Sequence, residues 1–311
     1  NSPDGIEVSA MQTLTALIPR RDLVRVGVRE SSRRQLIQDS ARRSLRRRHA
    51  TAAVARIACL IALAIALAAL VAEISYTALR GYGALSVSFL THRPTPPEIA
   101  NGGISTALLG SAEIIGFALA IAVPFGLAVA LYLRESSSNF ANAVRFATDV
   151  MAGLPSIVIG IFAYAIVVRP THHFSDFAGA VGIAVLMLPI MIRANEQALR
   201  TVPIELWEAG VALGARRSRV TRSVVVRGAL PGLVVANFVA LARGVGETAP
   251  LLFTISAPTA AMTLLIYSDG TQAFASAQQV AWGTALVLLA FVIVISVVAR
   301  GFAFYLTRKA R

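Results

Sequence analysis

Charge is scarce in this 311-residue sequence: Asp, Glu, Lys and Arg make up 14% and hydrophobic residues 56%, whereas soluble domains carry about 25% charged residues. A soluble globular protein is thereby excluded, and so is extended disorder, because such a chain must bury its apolar surface. Lysine is nearly missing. Lys309 is the one lysine among 29 cations. A phosphate-binding loop of the G-x-x-x-x-G-K-[ST] type needs a lysine to reach the β- and γ-phosphates. Lys309 is followed by Ala310 and Arg311, with no glycine-rich loop before it. The chain therefore has no ATP site of that type, and if ATP drives it, another subunit holds the ATP. One cysteine, Cys59, allows no intrachain disulfide. Aromatics stand at 7%, low for a nucleic-acid binder despite a net charge of +13. Basic cytoplasmic segments of a membrane protein account better for that charge.

What the sequence does have is apolar runs. Residues 1–56 form a basic tail, with Arg42, Arg43, Arg46, Arg47 and Arg48 crowded together, and a loosely ordered cytoplasmic segment touching anionic headgroups is expected there. A DNA-binding arm is the sharper and less favoured reading. Residues 57–311 then form a transmembrane domain. Six segments are apolar enough to cross: Ile57–Leu79, Ile104–Leu133 (with Pro124 as a kink), Phe146–Val168, Phe177–Ile192, Leu233–Ile255 and Trp282–Leu306. A crossing helix needs about 20 residues, which leaves the fourth segment short. The tail, the 193–232 loop and the C-terminus are the positive regions. With six spans they share one side, so both termini are expected in the cytoplasm.

The 193–232 loop carries a short amphipathic helix over 201–214. Thr201 can cap it, Pro203 suits its first turn, Gly214 suits its end, and Ile204, Trp207 and Val211 recur at helical spacing. Such a helix either lies on the membrane surface or docks into a groove of another protein. Glu208-Ala209-Gly210, then three residues, then Gly214, resembles the E-A-A-x-x-x-G signature of ABC importer permeases. Gly210 stands where that signature has Ala. Leu230-Pro231 comes four residues later than the signature places its Leu-Pro pair. The resemblance covers about residues 100–300. Ile121–Gly126 with Leu131–Leu133, Ala152–Val158, Met187–Arg193 and above all Gly246-Glu247-Thr248-Ala249-Pro250-Leu251-Leu252 are similar to stretches of phosphate-specific permeases of the PstA type.

Two charged residues sit within the fifth segment. Arg243 and Glu247 are four apart, so on one helix they share a face and can pair. The pair either locks two helices or serves an anion, for which guanidinium offers a planar fork of donors. Arg193 either anchors the fourth segment at the interface or belongs to the same route. Adjacent His172 and His173 have no third ligand in sight, so no metal site is expected, and no catalytic residue is either.

The resemblance implies an all-α membrane protein of the six-helix ABC permease (MetI-like) fold. It implies a substrate pathway at Arg243, Glu247, Arg193 and Thr248. It places the coupling to an ATPase at Trp207, Glu208, Ala209, Gly210 and Gly214. It further implies no cofactor on this chain, with ATP and Mg on the ATPase. The partners would be a homologous second permease, two cytoplasmic ATPase subunits and an external phosphate-binding protein, with inorganic phosphate carried, membrane lipid around the helices and no nucleic acid. The setting would be the inner membrane of a prokaryote. An ABC importer for another oxyanion, or a secondary transporter without an ATPase, are the alternatives.

Overall fold

In the computed structural model, residues 20–96, 98–99 and 102–309 are described, with side chains from residue 51 to 308. Among them there is no strand. The chain divides into two units, Asn1–Glu73 and Ile74–Arg311. Within the first unit the backbone is helical from Arg20, where a loosely ordered tail is expected; residues 1–19 lie outside the described residues. That helix, α1, is Arg20–Gly81.

The helices that follow are α2 (Val87–Thr91), α3 (Ser105–Glu135) and α4 (Asn139–Ala152). Next come α5 (Ser156–Thr171), α6 (Asp176–Arg200) and α7 (Ile204–Ala212). The last are α8 (Arg217–Val245), α9 (Ala249–Thr254), α10 (Met262–Gly270) and α11 (Ala275–Lys309). Among the described residues five helices are long and apolar enough to cross a membrane, or six if α4 and α5 together form one span. Two helix starts are written in the sequence: Ser138 and Ser175 accept the backbone N–H of Ala141 and Ala178 as N-caps of α4 and α6.

Two expected spans are cut differently. The third breaks at Gly153-Leu154-Pro155 and turns by 106° between α4 and α5. Proline removes a helical N–H donor and pushes the residue before it out of the α region. The fifth is shifted. Helix α8 begins at Arg217, in the stretch read as loop, and ends at Val245, ten residues before the expected end. Hydropathy reports depth in the membrane and not helicity, so the arginine-rich start of α8 was invisible to it. The short fourth segment gains length at both ends and becomes the 25-residue α6.

Helix α6 is the axis of the second unit. Along α3, Ala118, Ala122, Gly126 and Ala130 repeat every four residues and are buried. They make the smooth face that lets two backbones approach. A Cβ on Gly126 would lie 3.0 Å from the Met191 Cβ of α6. The core cluster joins Ile114 and Ala118 of α3, Ile183 and Met187 of α6, and Ala240 and Leu241 of α8.

Candidate translocation and coupling site

Helix α8 stops beside the middle of α6. A Cβ on Gly244 would meet the Met187 sulfur at 2.6 Å and Ile183 at 3.1 Å, and those residues sit near the middle of α6. Gly246 closes the helix, its N–H bonded to the Arg243 and Gly244 carbonyls. Glu247 lies past the end, with its N–H on the Gly244 carbonyl at 3.3 Å. Thr248 then caps α9, its carbonyl accepting from Leu251 (3.1 Å) and Leu252 (3.2 Å). This break corrects the expectation that Arg243 and Glu247 share one helix face. Glycine and the residue before Pro250 are both helix breakers, but they lie inside a segment whose overall composition is apolar. Helix α9 reaches its place because side chains are missing opposite it. A Cβ on Gly160 of α5 would be 2.9 Å from the Pro250 Cα, and one on Gly182 of α6 would be 3.3 Å from the Pro250 Cβ.

Arg243 and Glu247 do meet, Nη2 to Oε1 at 3.4 Å. The Arg243 side chain is 58% exposed and that of Glu247 19%. A pair this open contributes roughly 0–1 kcal/mol, and both residues belong to one helix end and its break, so it cannot lock two spans together. Arg243 continues an exposed stripe of α8 through Gly232, Val239 and Gly246. Its charge also sits well at a helix C-terminus, where unpaired carbonyls gather. A broken helix at the depth of a membrane midplane is tolerated where it lines a cavity or is buried in protein. The chemistry available there is a planar cation, partly balanced by one carboxylate, open on one side.

Arg193 is not brought to Arg243. It lies six residues beyond Met187 on α6, roughly 240° around the axis. It faces α4, where its Nε donates to Asp149 Oδ1 at 2.9 Å and its Nη2 to the Arg145 carbonyl at 3.3 Å. Beside it Glu196, 4% exposed, accepts from Arg145 (3.1 Å) and Arg200 (2.9 Å) and lies 3.7 Å from Arg193. Arg145 also donates to the carbonyls of Leu133 and Ser136. Sequence reading missed this cluster because the apolar segment ends at Ile192 and Glu196 falls in the presumed loop. The amide pair Asn195–Asn237 between α6 and α8, with Asn195 buried and bonds of 3.0 and 3.4 Å, was missed because Asn195 too falls in the presumed loop.

Helix α7 occupies the expected coupling segment with altered ends. Pro203, not Thr201, is its N-cap. Thr201 ends α6, its hydroxyl bonded to the Ala198 carbonyl at 2.7 Å. The loop itself shortens to 201–216 because α6 and α8 run into it. At the other end Gly214 has φ +82. Its N–H bonds to the Val211 carbonyl at 2.9 Å and that of Ala215 to the Gly210 carbonyl at 3.4 Å, a Schellman closure. Glu208 and Ala209 are exposed, as are Ile204, Leu206 and Leu213, whereas Trp207, Gly210 and Val211 are half-buried. Gly210 is small for a reason: a Cβ there would press the Val220 side chain at 2.8 Å. The Trp207 ring lies under the Arg217 guanidinium at 5.8 Å, and its indole N–H donates to the Thr221 hydroxyl at 3.4 Å.

Gly214 gives a sharp expectation. No atom stands near its missing Cβ, so any cost of substitution comes from the backbone. Gly214→Val should lose about 1–3 kcal/mol at the helix end, and Gly214→Asn, which tolerates φ > 0, much less. Thermal unfolding at matched membrane content should show the loss with Val and little of it with Asn.

Residues 122–311 match the family described as binding-protein-dependent transport system inner membrane component. The chain belongs to this family. Among its relatives is the phosphate transport system permease protein PstA of Yersinia pestis, 35% identical over 236 residues, covering 72% of this chain and 80% of that protein. The PstA of Xylella fastidiosa (strain Temecula1) is 38% identical over 66% of this chain and 76% of its own length. Among solved structures, the inward-facing MetNI methionine ABC transporter has a chain that matches with a TM-score of 0.54 at 23% identity, covering 66% of this permease and 94% of that chain. The fold is thus that of ABC importer permeases, and this permease is a multi-pass membrane protein. The resemblance to phosphate-type permeases expected from Gly246–Leu252 is found in named relatives.

Proposed function

We propose that this permease forms half of the membrane pathway of an ATP-driven phosphate importer in the inner membrane of a prokaryote. The observation that carries the reading is the likeness to PstA proteins over about two thirds of the chain; the family match over residues 122–311 includes the break with Arg243. The partners follow from the reading. A homologous second permease covers the open side of α8. Two cytoplasmic ATPase subunits bind ATP and Mg and dock on α7 through Glu208, Ala209 and Leu213. An external binding protein delivers phosphate. Arg243, with Glu247 and Thr248 beside it, attracts the anion at half depth. Glu247 keeps the field moderate, since a pathway must bind weakly enough to release. Arg193 meets the anion nearer the α7 end, and only when Asp149 lets it go.

The test is the purified complex in vesicles: ATP hydrolysis and phosphate uptake, each with and without phosphate-loaded binding protein. Stimulation by phosphate and not by sulfate or molybdate supports the reading. Stimulation by one of those anions alone would reassign the substrate, and transport without an ATPase would remove the reading.

Orientation gives a further expectation. In a Cys59→Ala background, Ser218→Cys should resist an impermeant thiol reagent in intact cells and Gln272→Cys should react. Labelling of residue 218 from outside would reverse the topology.

A further inference from the structure

The last two residues of α3 grip both roots of α7. Arg134 Nε donates to the Leu199 carbonyl at 3.0 Å and its Nη2 to the Val202 carbonyl at 3.4 Å. These carbonyls lie in the last turn of α6 and in the link into α7, where a helix end leaves acceptor capacity to spare; the Leu199 carbonyl also takes the Val202 N–H at 3.4 Å. Glu135 reaches the other root. Its Oε1 accepts the Thr221 hydroxyl at 2.7 Å, and the same Thr221 oxygen accepts the Trp207 indole N–H. A hydroxyl has one proton to give, so Thr221 gives it to Glu135 and offers a lone pair to α7. Thr221 is 9% exposed. It opens a wide turn over Thr221–Val226 in which the hydrogen bonds span five residues, a feature often found at functional positions. Successive helix residues point about 100° apart, which lets neighbours in sequence take opposite flanks. Trp207 and Leu131 of α3 also pack on one apolar cluster with Leu199, Val202 and Val225.

We propose that Arg134 and Glu135 form a clamp through which α3 receives the movement of α7, with Thr221 as its hinge pin. The proposal rests on the reading of α7 as the coupling helix. The clamp holds the entry to α7 through Arg134 and its exit through Glu135 and Thr221, so a push on α7 carries the end of α3 with it. Helix α3 passes the displacement to α6 along the Ala118–Ala130 face. Arg134, Glu135 and Thr221 are positioning residues and touch no substrate.

The test uses the full transporter with its ATPase. Thr221→Val keeps the shape and loses the hydroxyl; Thr221→Ser keeps the hydroxyl. Glu135→Ala loses the acceptor; Glu135→Gln keeps an acceptor oxygen. Per assembled complex, Thr221→Val and Glu135→Ala should retain basal ATP hydrolysis while phosphate moved per ATP falls about fivefold or more. Ser and Gln should stay near the starting ratio, and the Val/Ala double variant should be no worse than either single one, because one bond is shared. A second readout does not depend on which anion is carried. Adding ATP should change amide exchange over Leu133–Glu135 in the unmutated complex and in Thr221→Ser, and leave it unchanged in Thr221→Val. An unmutated complex that moves no phosphate but shows this exchange change would fail the substrate reading and keep the clamp. Equal transport ratios in the Val and Ser variants, additive losses in the double variant, or an ATP response that survives Thr221→Val would overturn the clamp.

Discussion

Arg243→Gln in the assembled transporter is expected to lower phosphate uptake about tenfold or more, since a hydrogen bond to a charged group contributes about 1.5–3 kcal/mol. The reason is local. Arg243 stands at the end of α8, beside the middle of α6, with its guanidinium more than half exposed and one carboxylate beside it. Hydrocarbon does not solvate such a group, so its open side must meet protein, water or an anion. Arg243→Lys should keep a fraction of uptake, because the charge remains while the planar fork is lost. Glu247→Gln should impair uptake by the opposite route, leaving the cation unbalanced and the anion held longer. Radiolabelled phosphate uptake into vesicles at matched complex content measures all three. Uptake by Arg243→Gln equal to that of the unmutated transporter would place the anion route elsewhere.

The second large effect is expected from Glu196, which bears on stability and not on the substrate. Its buried carboxylate takes hydrogen bonds from Arg145 and Arg200 and sits near Arg193. Removing it strands a group of cations at the junction of α3, α4 and α6. Breaking a buried pair costs about 3–5 kcal/mol. With Arg200 57% exposed and Arg193 33% exposed, water offsets part of that, and about 2–4 kcal/mol is expected for Glu196→Gln. Arg200→Gln should cost under about 1 kcal/mol, because that side chain is mostly in solvent. Thermal unfolding of the purified complex compares them. A Glu196→Gln transporter that melts with the unmutated one would show that the cluster holds nothing together.

Some of this was legible in the sequence and some was not, for physical reasons. Gly214 could be read as a helix end because only the special backbone of a C′ residue asks for glycine there, and the structure gives it φ +82. The apolar runs located the spans, because burial in lipid acts on composition. Helix ends inside those runs were not legible. Gly246 to Pro250 breaks α8 from α9, yet apolar residues flank it on both sides and two charges, Arg243 and Glu247, are too few to end an apolar run in a hydropathy reading. The converse held at the α7 end of the bundle, where α6 continues through Asn195 and Glu196 and α8 starts among arginines. Polar composition suggested loop, while the backbone stayed helical because its side chains pair across helices: Asn195 with Asn237, Glu196 with Arg145, Thr221 with Glu135. Arg193 shows the remaining limit. The position on α6 was fixed by sequence, but its direction was not, and it points to Asp149 on α4. Only the packing of α6 against α8 on the opposite side decides that.

The most direct test of the anion pathway is the charge swap, Arg243→Glu combined with Glu247→Arg, scored separately for complex yield and for ATP-driven phosphate uptake. The swap keeps the attraction but moves the cation off the end of α8 into the break before α9, four residues further along the chain. An anion route through Arg243 predicts a normal yield of assembled complex with uptake lost. Full uptake by the swapped transporter would contradict it, because the pair would then matter only for its mutual attraction.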